Sequence, residues 1–204
     1  MKKPLEWTIP IKFVKRGGLA HDTPFQLLIA VILSAQCTDA MVNRVTPGLF
    51  AKFPDAKTMA EASVEDLKIA IKSINFFNNK AINIHKTAHI VQEQYAGEIP
   101  STLEALVKLP GVGRKTANVV LGQAFGKQAI TVDTHVKRVS YRLGFTKQSD
   151  PVKVEQDLIK VWREDIWSYF SSILILHGRH TCKAISPQCH NCEFQTDCPR
   201  KGVK

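Results

Sequence analysis

Residues 109 to 117 read Leu-Pro-Gly-Val-Gly-Arg-Lys-Thr-Ala and place a glycine-rich turn directly before a candidate helix. Gly111 and Gly113 lack the Cβ atom that bars positive φ angles and keeps a ligand away from the backbone. The helix is predicted to begin at about Arg114, so its unpaired N–H groups and the positive end of its dipole would face the same anion as the glycine amides. The stretch therefore predicts a phosphate-binding turn with Lys115 beside it. Most isolated Pro-Gly-x-Gly tetrapeptides are plain turns, so the prediction depends on the rest of the chain.

The charge and the length of the chain narrow the class of protein. The 204 residues suffice for one large domain or two small ones. A net charge of +10 favours a polyanionic partner, the alternative being an ordinary solvated basic surface. No apolar run approaches membrane-spanning length, and the N-terminus lacks a signal-peptide core. We therefore expect a cytoplasmic protein without membrane association, whose five cysteines are thiols or metal ligands rather than disulfides.

Helix signals recur along the chain and predict an all-α protein. Thr23 and Gln26 form a capping box ahead of the apolar run 25–35, which we expect to be a buried helix. The segment 129–132 is the only extended candidate and is too short to found a sheet. Further helix starts are predicted at Thr58 with Glu61 and at Ser101 with Glu104, and helix ends at Gly97, Gly126 and Gly178.

A cysteine cluster occupies a C-terminal tail with few apolar residues. Cys182, Cys189, Cys192 and Cys198 follow the pattern C-x6-C-x2-C-x5-C. Four thiolates so close together suit a tetrahedral zinc ion or an iron–sulfur cluster, and their spacing does not decide between the two. Cys37 stands apart in the apolar helix region and is interpreted as a small buried hydrophobe.

Three motifs in this order carry a resemblance to a known family. The stretch 109–117, the segment Val132-Asp133-Thr134-His135 and the cysteine tail together resemble the endonuclease III family, base-excision DNA glycosylases of the helix-hairpin-helix superfamily. The resemblance covers most of the chain, from Pro24 to the last cysteine. It implies a [4Fe-4S] cluster on the four cysteines. It also implies a six-helix domain (22–133) carrying the helix-hairpin-helix motif, a helical cluster domain (1–21 plus 134–204), and DNA in the cleft between them.

The resemblance assigns two residues to the gap that an extruded nucleotide leaves in the duplex. Gln36 and Phe76 match the family's wedge positions, where an amide can hydrogen-bond the orphaned base and a ring can stack. Residues 75–77, Asn-Phe-Phe, depart here from the family's Gly-Leu-Tyr. Ordinary packing at a helix end is the alternative for Phe76 and Phe77.

Two further positions match the family's catalytic pair. Lys115 matches the nucleophile, since an amine can attack C1′ of the sugar and then hold it as a Schiff base. Asp133 matches the catalytic aspartate, whose carboxylate can stabilise positive charge on the sugar or assist a deprotonation. The alternatives are a phosphate contact for Lys115 and a helix N-cap for Asp133, and the cap is compatible with catalysis.

Other residues receive lesser roles. The resemblance implies DNA contacts at six positions and a base pocket lined by Ser34 and Asp39, for which core or capping roles are the alternative. We interpret Lys137, Arg138 and Arg142 as a solvated or phosphate-facing stripe. The six DNA-contacting positions are Gly111, Val112, Gly113, Arg114, Thr116 and His135.

The function that the resemblance implies is a bifunctional one. It is a DNA glycosylase and abasic-site lyase that removes oxidised pyrimidines from duplex DNA through a lysine Schiff base and β-elimination. We expect a monomer whose partner is double-stranded DNA with damaged bases or abasic sites. A monofunctional mismatch glycosylase is one rival, although adenine-specific relatives lack a lysine at position 115 and carry an extra C-terminal domain. The other rival is a helix-hairpin-helix binding module with a structural zinc, in which Lys115 and Asp133 would share no task.

Overall fold

The computed structural model describes residues 18–203, and this part of the chain contains ten α-helices and no β-strand. The all-α prediction is therefore confirmed. No helix in these residues combines the length and the apolar character needed to cross a membrane. The helices are α1 Pro24–Ser34, α2 Asp39–Lys52, α3 Ala56–Glu61, α4 Val64–Ala70, α5 Phe77–Tyr95, α6 Leu103–Leu106, α7 Arg114–Phe125, α8 Thr134–Leu143, α9 Pro151–Val161 and α10 Trp167–His180.

Helix α1 forms the centre of a first hydrophobic core. Thr23 caps the helix by accepting the Gln26 N–H at 3.2 Å, as predicted, and every residue from Phe25 to Leu33 is buried. The helix contacts α2, α5 and α7, so its apolar side chains are covered on all sides. Burying each large aliphatic side chain contributes about 1.5–3 kcal/mol, which makes α1 the anchor of this half of the molecule.

A second hydrophobic core joins α8, α9 and α10. The rings of Trp162 and Phe170 pack with their centroids 4.2 Å apart, and Phe145 meets both edge-on. This core fixes the start of α8, where Asp133 lies, while α7 with Lys115 belongs to the first core. Its buried members are Ile130, Val136, Val139, Val154, Leu158, Phe170 and Leu174.

The N-terminal end of the described chain lies against α2. The Ala20 N–H donates to Asn43 Oδ1 at 2.9 Å, and Asn43 Nδ2 donates to the Gly18 carbonyl at 3.0 Å. Residues 18–20 therefore attach to the first core, although they were predicted to join the C-terminal half. Residues 1–17 of that predicted contribution lie outside the described residues. The division into 22–133 and 1–21 plus 134–204 stays a prediction.

Helix α10 does not end at Gly178, so that prediction was wrong. Gly178 is buried inside the helix, which continues to His180. A Cβ atom at this position would lie 2.9 Å from the Cβ of His135, closer than such atoms approach in real proteins. The glycine therefore permits the close approach of α8 and α10 rather than a helix end.

Two predicted helix starts were misplaced. Asp55, not Thr58, caps α3, because the Asp55 carboxylate accepts the Thr58 N–H at 2.9 Å while the Thr58 hydroxyl returns to Asp55. Thr102, not Ser101, caps α6. The ends predicted at Gly97 and Gly126 are confirmed, since Gly126 is the C-cap of α7 and Gly97 follows α5, both with positive φ. In each misplaced case the better cap was an adjacent or nearby residue with an equally suitable side-chain oxygen.

Candidate nucleic-acid interface and active site

The glycine-rich turn connects α6 to α7 as a helical hairpin. Gly111 has a φ of +78°, and a Cβ atom there would lie 3.2 Å from atoms of both Asn83 and Ile32. The Thr87 hydroxyl donates to the Pro110 carbonyl at 2.9 Å, which ties the turn to α5. Gly111 is thus needed by the fold itself.

Gly113 differs from Gly111 in what it serves. It is the N-cap of α7 in extended conformation, with a φ of −85° and open space where a Cβ atom would lie. Neither backbone strain nor packing requires glycine at this position. Because Gly113 has no side chain, no capping oxygen occupies the first N–H groups of α7. An uncapped helix N-terminus of this kind is able to bind an anion through its N–H groups.

Arg114 and Lys115 both lie in the first turn of α7, but their surroundings differ. The Arg114 guanidinium forms a bidentate ion pair with Glu155 of α9, at 2.7 and 2.8 Å. Glu155 is buried, and its hydrogen bond raises the pKa of Arg114. The pair joins the first turn of α7 to a helix of the second core. Lys115 is exposed, and Thr116 beside it is half-buried.

Asp133 is the N-cap of α8, as predicted for its alternative role. One carboxylate oxygen, Oδ1, accepts the N–H groups of His135 and Val136, both at 2.8 Å. Oδ2 takes no part in this cap. The aspartate is therefore held in one orientation at the start of a helix.

The segment between α7 and α8 is fixed from both sides. Asn118 of α7 is buried and donates to the Ile130 carbonyl at 3.2 Å. The Thr131 N–H donates to the Ser171 hydroxyl of α10 at 3.1 Å. These bonds attach the residues just before Asp133 to α7, which carries Lys115, and to α10 of the second core.

The two predicted wedge residues lie on neighbouring loops. Gln36 and Phe76 are both exposed, and both have left-handed backbone with φ of 54° and 58°. Asn75 Nδ2 donates to the Gln36 carbonyl at 3.0 Å, so the loops are bonded to each other. Phe76 has 62% of its surface exposed, which excludes the packing alternative for this residue, whereas Phe77 does pack against the first core.

The residues predicted for the base pocket lie on either side of Gln36. The Ser34 hydroxyl donates to the Val31 carbonyl at 2.8 Å within the last turn of α1. Asp39 is the exposed first residue of α2, and Thr38 rather than Asp39 caps that helix. Their contact with a base stays a prediction.

The four tail cysteines surround one cavity. Cys182, Cys189, Cys192 and Cys198 all line it. Burial raises the pKa of the Cys192 thiol, and the other three thiols raise it further, because like charges close together are unfavourable. Within residues 18–203 no three His, Cys, Asp or Glu side chains are arranged to hold a single metal ion. Cys37 is half-buried and packs against the first core, as predicted.

Two arginines of α8 hold the tail, so their prediction as a solvated or phosphate-facing stripe was wrong. Arg142 is buried and donates to the carbonyls of Lys183, at 2.6 Å, and Ala184, at 3.0 Å. Arg138 donates to the Gly178 carbonyl at 2.8 Å and to the Cys182 carbonyl at 3.2 Å. The signal that sequence reasoning missed was their i, i+4 spacing, which puts both on one helix face next to a tail lacking apolar residues. Lys137 is exposed, as the stripe prediction required.

Comparison with known proteins identifies the family to which this fold and these motifs belong. Residues 29–164 match the family model of HhH-GPD superfamily base excision DNA repair proteins. Endonuclease III of Synechocystis sp. is 50% identical over 183 residues, which cover 89% of this chain and 84% of that protein. Endonuclease III of Bacillus subtilis is 50% identical over 187 residues, covering 91% and 85%.

A solved structure shares the fold as well as the sequence. The structure of a trapped endonuclease III–DNA covalent intermediate superposes with a TM-score of 0.84 at 46% identity, covering 93% of this chain and 90% of that one. The chain belongs to the endonuclease III family of the HhH-GPD superfamily. The resemblance drawn from its three motifs is thereby confirmed.

Proposed function

We propose that this protein removes oxidised pyrimidines from duplex DNA and then cleaves the strand at the abasic site through a Schiff base on Lys115. The observation that carries the proposal is an exposed lysine in the first turn of a helix whose N-terminal amides no side chain caps. A DNA phosphate on those amides would bring the sugar–phosphate backbone to Lys115. The relative trapped covalently on DNA supports the covalent step.

Lys115 supplies the nucleophile in this proposal. Its neutral amine attacks C1′, and the bond between C1′ and the base breaks with the electron pair leaving on the base, which takes up a proton. The attached sugar then opens to a protonated imine, with the ring oxygen becoming a hydroxyl. Loss of a C2′ proton expels the 3′ phosphate, and water finally hydrolyses the imine.

Asp133 acts on the charge that this reaction generates. As the base departs, positive charge develops on the sugar, and an ionised carboxylate fixed nearby stabilises it. The two cap bonds on Oδ1 prevent rotation of the group and leave Oδ2 to face the reacting sugar or accept a proton. Lys115 at the start of α7 and Asp133 at the start of α8 thus share one reaction. In a plain DNA-binding module they would have no shared role.

The cysteine cavity fits a [4Fe-4S] cluster held by Cys182, Cys189, Cys192 and Cys198. The four thiols line one shared cavity, and membership of the endonuclease III family favours the cluster over a single zinc ion. When bound, the cluster would offset part of the negative charge of the four thiolates and cross-link the tail. Through its four cysteine ligands, the cluster would hold residues 181–203 in place beside the second core.

Borohydride trapping tests the proposed function. Wild-type protein incubated with a duplex carrying one oxidised pyrimidine and then reduced should become permanently attached to the DNA. Lys115→Gln should abolish both attachment and strand cleavage while retaining DNA binding, because only the nucleophile is lost. Lys108→Gln, an exposed lysine on the other side of the same hairpin, is the matched control. Trapping of the Lys115→Gln protein at wild-type level would exclude Lys115 and favour a glycosylase that uses water or another amine.

The two catalytic roles separate on a preformed abasic site. Asp133→Asn should lose most base release, at a cost of about several kcal/mol in the barrier, since a neutral amide cannot offset developing positive charge. On an abasic site no base has to leave, so Asp133→Asn should retain more activity there than Lys115→Gln. Equal losses on both substrates would argue against this division of roles.

Metal analysis tests the cluster. Purified protein should be yellow-brown and contain iron and sulfide in proportion, and Cys198→Ser should lose both and weaken DNA binding by loosening the tail. Cys37→Ser is the control, because Cys37 packs against the first core and should leave the iron content unchanged. A colourless protein with stoichiometric zinc would overturn the proposal.

A further inference from the structure

The turn that follows α1 has an unusual set of hydrogen-bond donors. The carbonyls of residues 33 to 36 are all occupied, and only that of Ser34 is occupied by the turn itself, through the Cys37 N–H at 3.0 Å. Lys80 Nζ donates to the carbonyls of Leu33, at 2.8 Å, and Ala35, at 2.7 Å. Asn75 takes the remaining one, that of Gln36. Three backbone carbonyls at the end of α1 and in the turn after it are therefore held by the side chains of Asn75 and Lys80.

Lys80 makes these bonds at a cost. Its side chain is buried with 6% of the residue exposed, and burial lowers the pKa of its ammonium group. A helix end is ordinarily closed by a glycine in left-handed conformation or by water, neither of which requires a buried cation. Because a buried lysine donates to two carbonyls of this turn, we infer that the turn is held in one geometry.

The geometry that is held includes two strained residues. Gln36 and Phe76 both adopt left-handed backbone, which costs a residue with a side chain free energy and persists only when the surroundings enforce it. Asn75 immediately precedes Phe76, and Lys80 lies one helical turn after it in α5. The same short segment thus carries one wedge residue and holds the backbone of the other.

We propose that Lys80, together with Asn75, is a positioning residue that fixes Gln36 and Phe76 as one rigid wedge for nucleotide extrusion. This inference rests on the proposed function and adds to it the device that sets the wedge. An ammonium with three donors can satisfy two carbonyls of a tight turn at once, which an apolar side chain of similar length cannot. A wedge whose backbone is already ordered before DNA arrives loses less conformational entropy when it enters the base stack.

Replacement of Lys80 by methionine tests the inference. Lys80→Met keeps the length of the side chain and removes its donors, and Lys86→Met, an exposed lysine of the same helix, is the control. Single-turnover base release should be measured on a duplex with a paired oxidised pyrimidine, and borohydride trapping on the same duplex with a preformed abasic site. We expect Lys80→Met to slow the first by about tenfold or more and the second by less than about threefold, because the paired base must be pulled from the stack.

A second variant guards against misfolding of the first. Asn75 is exposed, so Asn75→Ala removes the bond to the Gln36 carbonyl without opening a cavity and should produce the same selective loss to a smaller degree. Equal losses on both substrates, or none on either in both variants, would overturn the inference while leaving the proposed function intact. Failure of the wild-type protein on both substrates would instead overturn the proposed function, and this inference with it.

Discussion

The first core and the cysteine tail are held together by opposite means. In α1, nine consecutive residues from Phe25 to Leu33 are buried, and all but one of them are apolar. In the tail, residues 181–203, Phe194 alone is buried, packing its ring 5.2 Å from that of His177. The tail is instead bonded through its carbonyls to Arg138 and Arg142 of α8.

This difference assigns the two regions different sources of stability. Apolar burial is non-directional, so the stabilisation of the first core is shared among many contacts. This shared stability can offset the strain of loops on its surface. Side-chain bonds to the tail carbonyls are directional, and each is lost entirely when its donor is removed. We therefore expect core variants to lower global stability and tail variants to act locally.

The largest effect is expected in the first core. Leu28 is fully buried, and Leu28→Ala should lower the free energy of unfolding by about 2–5 kcal/mol, because it removes apolar contacts and leaves a cavity. Urea denaturation measures the loss. Ile69→Ala, at a position 60% exposed, should change stability by less than about 0.5 kcal/mol. Similar losses in the two variants would contradict an unequal distribution of stability.

A tail variant sharpens the comparison. Arg142→Met should lower the local stability of residues 181–203 by about 1–3 kcal/mol, since it leaves the Lys183 and Ala184 carbonyls without their donor. Amide hydrogen exchange should speed up in the tail and stay unchanged in α1. Lys137→Met, on the exposed side of the same helix, should leave both regions unchanged. Faster exchange in α1 as well would show that the regions unfold together.

The ion pair between Arg114 and Glu155 joins the two cores and should have a smaller effect. Glu155→Gln should lower the free energy of unfolding by about 1 kcal/mol, because the Arg114 side chain is 41% exposed and solvent screens the pair. Urea denaturation measures the loss, and Glu164→Gln, at an exposed glutamate beyond the end of α9, is the control. A loss equal to that of Leu28→Ala would mean that this contact, rather than the first core, limits stability.

The smallest effect concerns pH at the start of α3. Hydrogen bonds from Thr58 lower the pKa of Asp55 below its ordinary value of 3.8. The folded state therefore binds this proton less readily than the unfolded state, so the stabilisation is complete above the unfolded pKa and disappears as pH falls through the folded one. Asp55→Asn should reduce the acid-induced loss of stability by less than about 0.5 kcal/mol, given the exposure of the group. Urea denaturation at neutral and acidic pH checks this, and an unchanged pH profile would contradict it.

Local chemistry explains why much of the fold and site was predictable. The cap of α1 at Thr23, the start of α7 at Arg114 and the cap of α8 at Asp133 depend only on residues within one helical turn of each other. The apolar run 25–35 predicted a buried helix for the same reason, since its pattern leaves no polar face. The catalytic pair and the cysteine ligands came from motifs of fixed spacing, and their roles stay predictions.

The sequence by itself determined the starts of α1, α7 and α8, the burial of α1 and the motifs that are present. Only the tertiary structure decided the partners of charged and small residues that lie far apart in the chain. Arg114 meets Glu155 across 41 positions, Lys80 meets the Leu33 carbonyl across 47, and Gly178 admits His135. The residue type determines which contacts are possible, through a charge or a missing Cβ atom. How the helices pack determines which partner is reached, because hydrogen bonds and steric contacts act only over a few ångströms.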